Sequence, residues 1–115
     1  MKMEDYVAIP YLPGGRSRDG TDCWGLVGLC YHDEIGRDLP FFPDVPSTLP
    51  HAMKVFRQLD KPEDFCIVQI RSFEPIPHVG IYYKGGVLHM TRRGALCEPY
   101  HRIRHLILGL YKPLD

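Results

Sequence analysis

Four things are missing from this sequence, and each absence removes a class of function. No apolar run approaches the roughly 20 residues a membrane-spanning helix needs, so no membrane partner is expected. Fourteen basic residues stand against fourteen acidic ones, which leaves no overall field to draw the chain onto nucleic acid. Local imbalance remains: Arg92, Arg93, Arg102, Arg104 and His105 make the last quarter basic, while Asp33, Glu34, Asp38 and Asp44 make an earlier stretch acidic. Both read as solvated faces. There is no Cys-x-x-Cys and no paired-histidine spacing, so neither a metal nor an organic cofactor is expected. The opening MKMEDYVAIPYLPGG carries acids and prolines where an export signal needs a continuous apolar segment, which predicts synthesis in a cytoplasm. Under those conditions the four cysteines (23, 30, 66 and 97) are expected as free thiols.

What is present is ordinary globular material: 44% hydrophobic and 24% charged residues over 115 positions, read as a single domain spanning 1–115. Residues 1–20 are dense in proline, glycine and charge, with turns at Gly14-Gly15 and Asp19-Gly20. Asp22 or Thr21 then caps a helix over residues 23–31, apolar nearly all round and closed by Gly36 in a left-handed position. The four prolines of RDLPFFPDVPSTLP predict a loop held down by Phe41 and Phe42. A second helix is expected from Ser47, with Ala52, Val55, Phe56 and Leu59 on one face. From residue 64 the texture becomes β-branched and aromatic: FCIVQI, HVGIYY, VLHM and LILGLY, separated by turns. Helices first and closely linked strands afterwards predict an α+β fold, N-terminal helices packed on an antiparallel sheet.

Chemistry concentrates around Cys23. A thiol attacks as thiolate, and the amides and dipole at a helix start lower its pKa. Cys30 lies inside the same helix, and Cys66 and Cys97 lie in or beside strands, so position alone selects Cys23 as nucleophile. A nucleophilic cysteine also needs an imidazole base and a third group to orient it. His78 opens HVGIYY and His89 closes GGVLHM. A turn centred near Tyr83-Lys84 would bring the two rings together on one side of neighbouring strands. A turn made by Gly85-Gly86 would instead pair His89 with Tyr82, on the order of 13 Å from His78. The expectation adopted is a longer loop over roughly 81–86. His32, His51, His101 and His105 fall on helix ends or in the basic tail and read as surface residues.

The succession PYLPGG, DCWGLV, HVGIYY and LH resembles the NlpC-type cysteine peptidases, papain-like enzymes that cut the peptide stems of bacterial cell wall. The likeness spans nearly the whole chain. It implies a papain-like fold, Cys23 as nucleophile, His78 as general base and His89 as the orienting third member. It also implies a Tyr11 hydroxyl near the thiol, Asp22 as cap and site residue, and an oxyanion met by the Cys23 amide and a second donor. Trp24 stands where many secreted members have serine, either lining the groove or packing beneath it. That feature and the tail EPYHRIRHLILGLYKP resemble the phage and prophage branch, whose members belong to the tail tip. The resemblance thus implies an endopeptidase of murein peptides, acting between D-glutamate and the diamino acid, without cofactors. Its partners would be other tail-tip or hub proteins, and it would pass from the host cytoplasm to the virion tail. Two rival readings share the fold: an inactive structural tail-tip component, and a bacterial peptidase or amidase working on recycled stem peptides.

Overall fold

The computed structural model describes residues 1–39, 55–72 and 78–114. A single 3-10 turn at Met3–Asp5 is followed by a small hairpin, β1 (Arg16–Ser17) and β2 (Gly20–Thr21), which leads straight into α1 (Cys23–Cys30). Helix α1 begins where Asp22, extended at φ −91 and ψ −170, accepts a hydrogen bond from the Gly25 amide, which satisfies one of the free donors of the first turn. It runs on through a π turn at Tyr31–Ile35 and stops at Gly36, whose φ of 72 is the left-handed geometry that glycine adopts without Cβ strain.

The remainder is mostly one antiparallel sheet of six strands. They are β3 (Phe56–Leu59), β4 (Ile67–Ile70), β5 (His78–Tyr83), β6 (Gly86–Thr91), β7 (Gly94–Pro99) and β8 (Ile107–Pro113), in the order β3-β8-β4-β5-β6-β7. Alternation of side chains gives this sheet two apolar faces. Ile67, Val79, Ile81, Leu88, Met90 and Ala95 meet Leu26, Val27 and Cys30 of α1. Val68, Ile70, Val87 and Leu110 face the other way and are covered by Ile103, from the one-turn helix Tyr100–Ile103 between β7 and β8. The expected α+β arrangement, with a helix on an antiparallel sheet, is what the chain adopts.

Two local expectations fail. Phe56 and Leu59 belong to an edge strand, not to a helix: Phe56 pairs with Pro113 and Leu59 with Leu110. Apolar spacing over so few residues fits either period, and the open edge of β8 offers backbone partners that decide the matter. The start of the expected second helix, 47–54, and the proline loop with Phe41 and Phe42 lie outside the described residues. Nor does a long loop join β5 to β6. Tyr83 pairs with Gly86, leaving a two-residue turn of Lys84 and Gly85 with φ of 44 and 86. Two successive positive φ values match the right-handed twist of a tight hairpin, and Asp64 Oδ1 accepts the Lys84 amide at 2.9 Å.

Candidate active site

The segment around Tyr11 is tied to the approach of α1. Thr21 donates its amide to Pro10 O at 3.1 Å and accepts from the Leu12 amide at 2.9 Å, with Tyr11 bridging Thr21 in parallel. The Tyr11 ring stays exposed at this margin. Asp22 then gathers the loop onto the helix start. Its Oδ1 takes the Gly25 amide at 2.7 Å and Arg16 Nη1 at 2.8 Å, and its Oδ2 takes the Gly14 amide at 3.1 Å. Gly25 permits this closeness, since a Cβ there would lie 2.1 Å from Gly15 O. The Asp22 carboxylate is therefore engaged with this chain's own groups.

Cys23, the first residue of α1, is only partly exposed. Burial pushes the pKa of its thiol up, with the Asp22 charge adding to it, and the neighbouring backbone of Val79 and Trp24 pulls only partly the other way. The net shift is upward. A helix start alone predicted a lowered value; desolvation of the thiolate outweighs it here. The Val79 contact fixes where the thiol meets the sheet: at the beginning of β5, one residue after His78.

His78 and His89 are brought together, though not by the register expected. His89 stands opposite Gly80, so His78 is its diagonal neighbour on the same face. Diagonal neighbours are ordinarily several ångströms apart, but Gly80 puts nothing between them. His78 Nε2 lies 2.7 Å from His89 Nδ1, with the rings edge to face at 4.9 Å between centroids. His89 is buried at 7% relative exposure and continues the line, its Nε2 being 2.7 Å from Glu98 Oε2. Trp24 packs against the core on the α1 side. It is half-buried, nearer to the packing role than to an open groove wall.

Glu98 was not legible from the sequence. GALCEP did not read as a strand, because on an edge strand only Ala95 is buried and the apolar alternation is lost. The available signal was the count across the β6–β7 hairpin, where Thr91 faces Gly94 and Val87 faces Glu98, placing Glu98 diagonal to His89. No group of three or more metal-ligating side chains occurs among the described residues, and no helix among them is long and apolar enough to cross a membrane.

The fold is shared with the NlpC/p60 domain of the peptidoglycan hydrolase SagA, at a TM-score of 0.68 and 18% identity over 96% of this chain and 92% of that one. It is shared too with a protein of Staphylococcus aureus subsp. aureus Mu50 described as similar to lipoprotein, NLP/P60 family. There the TM-score is 0.70 and the identity 18%, over 98% of this chain but 39% of that one. Likeness at that identity concerns the fold alone. No sequence among the curated proteins matches this chain closely enough to count as a relative. The model of the NlpC/P60 family matches residues 8–102. That span runs from before the Tyr11 segment to beyond Glu98 and takes in every residue of the site, so this chain belongs to the NlpC/P60 family of papain-like cysteine peptidases.

Proposed function

We propose that this protein is an endopeptidase of murein stem peptides that works through Cys23, His78 and His89. The observation that supports the reading is that the Cys23 sulfur meets the backbone of Val79, the residue directly after His78 in the chain, and that the His78 imidazole is itself hydrogen-bonded to a second one. With His78 Nε2 engaged by His89, Nδ1 is the ring nitrogen assigned to the thiol. In the reaction, His78 takes the Cys23 proton and the sulfur attacks the peptide carbonyl carbon. The carbonyl oxygen becomes an oxyanion facing the Cys23 amide. His78 returns the proton to the leaving amine, the C–N bond breaks, and an acyl-enzyme remains. Water, deprotonated by His78, hydrolyses the thioester and restores the thiol. Peptidoglycan as substrate follows from membership of the family and from the activity printed for SagA, a hydrolase of that polymer. The bond between D-glutamate and the diamino acid is the one proposed.

The place of action proposed is a phage or prophage tail tip. What supports it is Trp24 directly after the nucleophile and the character of the C-terminal tail, both of which resemble that branch. The test has two arms. Purified murein is digested with wild type and with Cys23→Ala, and digestion by wild type alone is expected. Equal digestion by both, or none by either, removes the enzyme reading and leaves a structural role. Copurification with a tail hub protein checks the location, and its failure in intact particles returns the chain to a cellular peptidase.

A further inference from the structure

Cys23, His78 and His89 are enough for the reaction as drawn, and Glu98 has no part in it. Its Oε2 nevertheless lies 2.7 Å from His89 Nε2, with the His89 side chain 9% exposed and that of Glu98 41%. A carboxylate has no hydrogen to give, so His89 Nε2 must carry one. A neutral imidazole protonated there has a bare Nδ1, and that atom is 2.7 Å from His78 Nε2, which is then the donor. His78 Nδ1 consequently carries no hydrogen, the form in which this ring takes a proton at Nδ1. We propose that Glu98 is the positioning residue of this site: it sets the tautomer of His89, and through His89 that of His78, and thereby decides which His78 nitrogen acts as base.

The inference rests on the peptidase reading for its biological meaning, but its physical consequence is separable from murein digestion. Once the thiol proton has moved to His78, the ring is a cation, and the negative charge at the far end of the line favours that state. Among the described residues, the titratable groups on the elements around the line are Cys23 and Asp22 at the start of α1, His78, Tyr82 and Tyr83 on β5, and Cys97 beside Glu98 on β7. Cys97 is raised by burial and by the Glu98 charge, so its thiol does not compete for the proton at neutral pH. Removing the charge weakens the imidazolium half of the thiolate–imidazolium pair. The alkaline limb, where the imidazolium is lost, moves to lower pH, while the acid limb, where the thiol ionises beside an imidazolium already formed, does not move upward.

The experiment is alkylation of Cys23 by iodoacetamide in the full chain across the pH range, with peptide mass mapping to separate it from Cys97. Wild type is compared with Glu98→Gln and Glu98→Asp. In Glu98→Gln the alkaline step, at which His78 loses its proton beside the thiolate, is expected to move down by about one pH unit, opposite charges at such range being worth on that order. The maximal rate is expected to fall about 10-fold, the lower end of what carboxylates behind functional histidines contribute. Glu98→Asp should stay nearer wild type. A Glu98→Gln profile that superimposes on wild type overturns the proposal. Ring nitrogen-15 spectra of the wild-type protein above the alkaline limb, where both rings are neutral, test it without any variant: Nε2–H on both histidines supports it, and Nδ1–H on either overturns it. A profile that follows Glu98 while murein stays intact in every variant sustains this inference and removes the peptidase reading alone.

Discussion

Gly80 stands opposite His89 in the β5–β6 ladder, and what it lacks matters more than what it is. A Cβ at this position would lie 2.8 Å from Leu88 O and 2.9 Å from His89 Cβ, neither of which is the free end of a flexible side chain. Gly80→Ala is therefore expected to destabilise the protein by about 1–3 kcal/mol, the ordinary cost of overpacking. Murein digestion should fall further than that loss explains, because the added methyl displaces the His89 ring from His78. Urea unfolding and initial digestion rates, measured together, check it; a variant that keeps both at wild-type levels contradicts the geometry. At this scale Cys23 and both histidines were legible in the sequence, because residue type and position next to a helix cap or within a strand are local facts. Glu98 and the closeness of the two rings were not, since both depend on a register that only neighbouring strands define.

At the scale of elements, the start of α1 depends on one carboxylate. Asp22 takes two backbone amides and the Arg16 guanidinium, binding the Gly14 turn, β1 and the helix into one unit. Asp22→Ala should cost about 1–2 kcal/mol through the lost cap. Asp22→Asn, which keeps a capping oxygen but not the charge, should cost less, since the pair with Arg16 is substantially exposed. Thermal melts of the two variants decide it, and equal losses would mean that the ion pair, not the cap, dominates. The cap and α1 itself could be read directly from the order Asp, Cys and an apolar run. Strand β3 could not: Phe56 and Leu59 satisfy a helical spacing, and only the free edge of β8 turns them into a strand. The β5–β6 turn was misjudged for a related reason, because Lys84 accepts a positive φ that its residue type does not advertise.

For the whole molecule, the buried acidic groups set the response to alkali. Burial raises the thiol of Cys30 from its ordinary 9.0 to about 12, and it also raises Cys66, Tyr6 and Tyr31. Tyr6 gains further from its hydrogen bond to Glu34 at 2.8 Å, and the Tyr31 hydroxyl donates to Phe65 O. A group whose pKa is higher in the folded than in the unfolded chain contributes fully below its unfolded value and less as pH rises past it. Stability should thus hold up to the ordinary thiol value of 9.0 and decline between there and about 12. Melting temperatures collected across that interval, with reductant present for the four free thiols, test the sign. A flat or rising curve would mean that these groups are not buried as described.

The sequence by itself determined the fold class, the helix that carries Cys23, four of the strands, and the family resemblance. These follow from short-range patterns: a cap before an apolar run, and β-branched alternation between turns. Tertiary structure alone decided that desolvation outweighs the helix start at the thiol, that the edges of the sheet are β3 and β7, and that Glu98 completes the histidine line. Burial and cross-strand register are properties of segments packed together, and no stretch of the chain specifies either without its neighbours in space.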